Sequence, residues 1–461
     1  MNKIDARAEM MGKAKVPVAI IRLAIPAIVS MVVMAVYNMA DTYFVSISKE
    51  QYLGTAAVSV FMPIMLITQA LSIWFAAGGA AYLSRLLGAK EIDKAHTTAT
   101  TTILLSFLVG VAVAIVGVIF ARPLLHLMGA SEATIELAMD YALVLFIASP
   151  IQLVNMAFNN LLRSEGSAVA SMVGMVTGAL LNIVLDPIFI FVFDMGVTGA
   201  AVATAISQGV AFCILFSNYL RKKTIAKFKL KGFRFQKEIV GYIVRIGSST
   251  FLTQMLAAVG FAVINICAKP YGDGAIAAFG IVNRVQFIGF AIIFGFAQGF
   301  QPVAGYNFGA HLFARLKKAM AFGITVTLCI GVAITLACNF GAESFINLFS
   351  DNADVLRIGV PALRWFTIGF PLTAFTLIIL MTHQALGKAT GAFILSICRQ
   401  GVCLIPAVII LANVAGLFGI MIAPFISDII SGVIAVILAV NIFKFLHKTQ
   451  NEYEQGIVQV A

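Results

Sequence analysis

From Val169 to Phe193 the chain is apolar for long enough to cross a lipid bilayer, and near the middle of that run stands one carboxylate, Asp186. The hydrocarbon layer takes roughly 20 residues of helix, because each residue rises about 1.5 Å. Such runs recur along the chain, at about 17–45, 54–83, 97–120, 135–162, 168–193, 197–220, 239–268, 275–303, 319–341, 355–382, 391–413 and 417–443. Glycine, proline and charge clusters mark the breaks. A backbone in lipid must satisfy its own hydrogen bonds, so each run is predicted as a helix. The predicted fold class is all-α integral membrane, with about twelve transmembrane helices. Only 11% of residues are charged, against about 25% in soluble domains.

A net charge of +11 would ordinarily raise nucleic acid as a partner. Here the cations sit in the short gaps between apolar runs, where they set orientation, so the expected partner is the bilayer and not nucleic acid. One set of gaps holds Lys3, Arg7, Lys13, Lys15, Arg85, Lys90, Lys94 and Arg163, a basic cluster from Arg221 to Lys237, then Arg315, Lys317, Lys318, Lys388, Lys444 and Lys448. The alternate set holds only Lys49, Arg122, Lys269 and Arg357. That asymmetry predicts both termini in the cytoplasm. The six cysteines all fall inside apolar runs and lack zinc-ligand spacing,. No HExxH, GxSxG or P-loop motif is present, so the chain is not read as an enzyme, and any transport draws on an ion gradient.

The chain also repeats itself. Gly54 and Gly274 open similar segments. FAAGG around Gly78 matches FAQGF around Gly299, and LLGAK at 86–90 matches NFGAH at 307–311. Pro150 matches Pro371, Gly166 matches Gly387, and VTGAA at 197–201 matches LFGIM at 417–421. All these offsets lie near about 220 residues, in order. Six helices per copy make the two copies parallel, a transporter architecture. The predicted organisation is a cytoplasmic N-terminal segment 1–16, a six-helix bundle 17–220, a basic cytoplasmic linker 221–238, a second six-helix bundle 239–444 and a cytoplasmic tail 445–461.

A carboxylate at membrane depth costs several kcal/mol unless it is paired, protonated or hydrated. Asn182 lies one helical turn before Asp186 on the same face. Pro187 lacks an N–H, so the Ile183 carbonyl loses its helical partner. Carboxylate, amide and freed carbonyl together suit a proton, a hard cation or a water. The competing reading is a kinked helix whose Asp186 pairs with a neighbouring helix. In the first run, VYNMADTYFVS at 36–46 places Asp41 toward the outer end, with Tyr37 and Asn38 four and three residues before it. A water-facing Asp41 is the competing reading there. Pro26 predicts a kink or hinge in the same run.

Gln152, Asn155 and Asn159 recur at helical spacing in the fourth run; Met175 and Thr177 follow in the fifth, and Thr204 and Gln208 in the sixth. Amides, hydroxyls and methionines make an adaptable wall for amphiphilic compounds. The same residue types also serve as hydrogen bonds between helices. The seventh to eleventh runs carry no mid-membrane acid. They carry Gln254, Arg284, Gln286 and Arg399, with Asp428 in the twelfth. This set reads as a polar wall or gate, or as structural ion pairing.

Through ADTYFVS at 40–46, SRLLGAKE at 84–91, ALLNIVLDPIFIF at 179–191, MGVTGAAVATAIS at 195–207 and the matching second half, the whole chain resembles the multidrug and toxic compound extrusion (MATE) family, nearest its MepA-like bacterial branch. The resemblance implies two pseudo-symmetric six-helix bundles opening alternately to each side of the bacterial cytoplasmic membrane. It implies a monomer that exports small-molecule drugs and toxic cations in exchange for H+ or Na+, with no other cofactor. Carried over by motif, Asp41, Asn182, Asp186 and Thr204, with Tyr37 beside them, form the coupling site, with Na+ expected at Asp41, Asn182 and Asp186 if sodium is the ion. Asn38, Gln152, Asn155, Asn159, Met175, Thr177, Gln208, Gln254, Arg284 and Gln286 are expected in the substrate cavity, and Pro26 and Pro187 as hinges. One branch of the family has an acid on the seventh helix, where this chain has Gln254, so coupling is expected in the first half. A flippase for lipid-linked saccharides and a non-transporting receptor are the alternatives.

Overall fold

A computed structural model describes residues 10–48, 51–231 and 233–455. Lys3, Arg7 and Lys49, the start of segment 1–16 and the end of the tail 445–461 lie outside the described residues. The first six spans are α1 (Val16–Ser46), α2 (Gln51–Gly88), α3 (Ile92–Leu127), α4 (Ile135–Ser164), α5 (Ala168–Pro187) and α6 (Gly196–Leu220). Next come α7 (Lys237–Ala268), α8 (Asp273–Gly309) and α9 (Phe313–Phe340). α10 is a bent pair, Ala353–Ile368 and Phe370–Ala385, turning by 42° at the break. α11 begins with Ala389–Ile397 and passes through a π-helical turn, Cys398–Cys403.

Beyond that turn the helix nominally continues to the end of the described chain, and Ala389–Glu454 counts 66 residues. As a single rod it would measure about 100 Å, some three hydrocarbon thicknesses. Gly416 interrupts it with φ 61 and ψ −138, a backbone that glycine alone adopts cheaply. A side chain at Gly419 would collide with the Leu411 carbonyl, so the chain folds back on itself here. α11 therefore ends near Gly416 and α12 runs from there to Glu454. With this hairpin counted as two and α10 as one, the described residues hold twelve spans.

The chain divides into two compact units. Among the described residues, the first holds Val29–Gly247, and the second holds the chain up to Ile28 together with everything from Ser248. The early parts of α1 and α7 are thus exchanged relative to the sequence boundaries 17–220 and 239–444. The cause is close packing that only glycine permits. A side chain at Gly78 would strike the Ile243 backbone in α7, and one at Gly299 would strike Ala24 in α1. Trp74 Nε1 also donates to the Val244 carbonyl at 3.0 Å.

The repeat carries into packing. Gly110 sits against Pro150 as Gly331 sits against Pro371. Ala57, Phe61, Ile64, Ala121 and Leu125 belong to the first unit's apolar core. Their counterparts Ala278, Val282, Val285, Ala342 and Ile346 belong to the second's. Each unit buries the same positions to build its own core, which is what makes a duplicated sequence stable twice over.

Candidate functional site

α5 presents two environments from one sequence. Gly174, Gly178, Asn182 and Asp186 recur every four residues and are buried. Val173, Leu180 and Val184 lie on the opposite stripe and are 46%, 52% and 57% exposed. A helix turns about 100° per residue, so one stripe meets lipid and the other the bundle. Pro187 ends the regular helix, and a π-helical turn, Ile188–Val192, comes next. The Ile188 N–H goes to the Leu185 carbonyl, so the proline reshapes the turn beside Asp186.

Asp186 is 0% exposed. Asn182 Nδ2 donates to Asp186 Oδ1 at 3.1 Å and to Thr204 Oγ1 on α6 at 3.2 Å. Tyr37 on α1 engages the same Thr204 and lies within electrostatic range of both Asp41 and Asp186. Asp41 is half-buried. Its Oδ1, with Asp186 Oδ2 and Asn182 Oδ1, is buried without a hydrogen-bond partner. Among the described residues no lysine or arginine is bridged to either acid. An unpartnered buried polar atom costs about 1–3 kcal/mol, more when charged. Three such oxygens, from two carboxyls and an amide, match the donor type that a proton or a hard cation such as Na+ takes.

Next to them, inside the first unit, is a cavity of about 100 Å³. Tyr37, Asn182 and Thr204 belong to its wall, so they connect the acids to the cavity. Gln152, Asn155 and Asn159 come from α4, Met175 from α5 and Gln208 from α6. Asn155 Nδ2 donates to the Gln208 carbonyl at 2.8 Å and to its Oε1 at 2.9 Å. Asn159 Oδ1 accepts from Ser171 Oγ at 2.6 Å. These amides therefore brace helices and line the cavity at once. At roughly 30 Å³ per water the space holds about three waters. A drug-sized ligand needs about 300 Å³ or more, so its entry requires the walls to move.

The wall also includes Met34, Gln69, Ser72 and Ser207, which sequence reasoning missed. Gln69 and Ser72 stand three apart in LITQALSIW, and that polar spacing in an apolar run was a readable signal. Other expected residues lie elsewhere. Thr177 is exposed on the lipid stripe of α5, because two residues from Met175 is about 200° around the helix. Asn38 is also exposed and off the wall. It comes directly after Tyr37, about 100° away, and its carbonyl accepts the Thr42 hydroxyl at 2.9 Å. Gln254, Arg284 and Gln286 belong to the second unit and do not line this cavity. Arg284 is exposed and Gln254 half-buried, and Gln286 Nε2 donates to the Phe366 carbonyl at 3.0 Å. Pro26 lies within an unbroken α1.

In the second unit the repeat register sets Thr373 against Gln152, Arg399 against Gly178 and Asp428 against Gln208. Arg399 Nε donates to Asp428 Oδ1 at 2.9 Å, and its Nη2 donates to Thr373 Oγ1 at 3.0 Å. Ser427 Oγ donates to the Arg399 carbonyl at 2.7 Å. Arg399 and Asp428 form an ion pair.

A helical bundle repeated along the chain, with unpaired acids beside an uncharged polar cavity in the first unit, defines a duplicated membrane protein of the transporter type of architecture,. The MatE family profile matches residues 26–188 and again 250–410, and the chain belongs to that family. The multidrug export protein MepA of Staphylococcus saprophyticus subsp. saprophyticus is 30% identical over 435 residues, covering 94% of this chain and 96% of its own. A solved structure described as the outward-facing conformation of a multidrug resistance MATE family transporter of the MOP superfamily matches with TM-score 0.91 and 28% identity, over 95% of this chain and 98% of that one. One described as a MATE in the bent conformation matches with TM-score 0.90 and 28% identity, over 96% and 99%.

Proposed function

We propose that the chain is a secondary active transporter that exports cationic and amphipathic small molecules by alternating access, in exchange for H+ or Na+. Its likeness to a multidrug export protein supports the substrate class. The observation that carries the coupling is the trio of unpartnered oxygens on Asp41, Asn182 and Asp186 beside an uncharged wall. Two carboxylates in low dielectric repel strongly, and one shared proton or sodium removes that repulsion. Asn182, Thr204 and Tyr37 transmit the change to α5, α6 and α1. α1 yields near Pro26, the wall rearranges and drug leaves outward; loss of the ion to the cytoplasm resets the cycle. An ion can drive this only by binding the two states with different affinity.

The protein works as a monomer in the bacterial cytoplasmic membrane, with the basic linker on the cytoplasmic side. A flippase of lipid-linked saccharides would need cations around its cavity to hold pyrophosphate, and among the described residues the wall contains none. The test is ethidium efflux from proteoliposomes with a pH gradient and a sodium gradient imposed separately. Asp41→Asn and Asp186→Asn should each cut gradient-driven efflux roughly tenfold or more while ethidium binding persists. Undiminished efflux in both variants overturns the coupling site, and no efflux by the unaltered protein under either gradient favours a receptor.

A further inference from the structure

Between α6 and α7 the chain forms a strap whose residues 221–237 include eight cations and no acid. Arg221, Lys222, Lys223, Lys227, Lys229, Lys231, Arg234 and Lys237 are all exposed. Among the described residues none of them forms an ion pair. A run this basic repels itself and is ordinarily loosely held. Here its backbone is clamped to the first unit. Glu165, 0% exposed, accepts the Ile225 N–H at 3.0 Å and the Ala226 N–H at 2.9 Å, one on each carboxylate oxygen. The Lys227 N–H donates to His96 Nδ1 at 3.0 Å, and the Lys229 N–H to Thr100 Oγ1 at 3.1 Å.

The clamps take only backbone, so the charged side chains are left outward. Lys227, Lys229 and Lys231 recur at every second residue. Leu230 and Phe235 stand exposed among them, 59% and 48%, with Phe233 edge-on to Phe235 at 5.0 Å. Both ends of the strap join helices long and apolar enough to cross a membrane, so the strap begins and ends where such spans begin and end.

We propose that this strap is a docking surface for anionic phospholipid headgroups of the adjacent leaflet. The ammonium and guanidinium groups meet lipid phosphates, and Leu230 and Phe235 enter the boundary between headgroup and acyl chain. Cation clusters at the end of a spanning helix attract anionic lipid, and apolar side chains between them add burial. The buried carboxylate fixes the strap's shape beforehand, so little ordering cost remains on binding. A soluble polyanion would make no use of Leu230 or Phe235.

Native mass spectrometry of the full-length protein, given equal phosphatidylglycerol and phosphatidylcholine, tests this. Phosphatidylglycerol should be retained roughly tenfold over phosphatidylcholine, and less so as salt rises. Replacing Lys222, Lys223, Lys227, Lys229 and Lys231 by Gln should erase that preference, with the thermal unfolding midpoint unchanged because the side chains are exposed. As a second measurement, amide exchange over 224–231 should slow in nanodiscs containing phosphatidylglycerol, and not in phosphatidylcholine alone. Equal retention of the two lipids, or a preference that survives the five substitutions, overturns the proposal. Displacement of the lipid by inorganic phosphate or heparin at matched ionic strength overturns it in favour of a soluble anion.

Discussion

The two units share a register yet treat the same interior positions in opposite ways. In the first, Gln152, Gly178 and Gln208 border a cavity. In the second, Thr373, Arg399 and Asp428 close on one another. α4 runs unbroken over Ile135–Ser164, whereas α10 breaks at Gly369, where any side chain would collide with the Asp428 carboxylate. α1 contains Pro26, and α7 contains no proline. The acids divide the same way. Asp41 and Asp186 keep unpartnered buried oxygens, while Asp428 is bound to Arg399. A buried charge with a partner is committed to structure, because changing it strands the other group. A buried carboxyl without one is free to exchange a proton or cation, at the cost of standing stability.

The sharpest way to break this contrast is at the ion pair. Arg399→Ala leaves Asp428 buried and unpaired, and unfolding in micelles should show a loss of about 3–5 kcal/mol. Combining Arg399→Met with Asp428→Leu should recover most of it. A single variant as stable as the unaltered protein would mean that the pair is not what closes the second unit.

Asp186→Asn should behave in the opposite sense. Efflux should drop roughly tenfold or more, equivalent to about 1.4 kcal/mol in the barrier. Stability should hold or rise, because a buried carboxylate without a countercharge has been neutralised. A destabilisation as large as that of Arg399→Ala would make Asp186 structural and erase the distinction.

Pro26→Ala restores the missing helical hydrogen bond in α1 and makes it more like α7. Transport in vesicles should slow severalfold with the fold intact; an unchanged rate would remove Pro26 as a hinge. The smallest effect belongs to Thr177→Val on the lipid stripe, within about 0.5 kcal/mol in stability and without change in efflux. A clear transport loss there would return Thr177 to the wall.

Much of the first unit's site was legible. Gln152, Asn155 and Asn159 advertised one face of α4 by their spacing, and Asp186 stood out against an apolar run. The errors were of helical phase and of lateral position. Thr177 and Asn38 each neighbour a wall residue in sequence but point away from it, since one or two steps turn the helix by about 100° or 200°. Arg284, expected in the substrate cavity, lies exposed in the second unit, because the apolar character of a span does not say which of its sides is covered.

Span number, duplication and the presence of polar groups at membrane depth are local properties, set by runs of apolar residues and by a backbone that must bond to itself in lipid, and the order of residues carries them in full. Whether a given acid is paired is different. Arg399 and Asp428 meet across two helices, and the loose oxygens of Asp41 and Asp186 lie on α1 and α5. In a medium of low dielectric, the presence or absence of one such neighbour outweighs everything the flanking residues contribute. Only the packing of helices decided which carboxyl is paired and which keeps unpartnered oxygens.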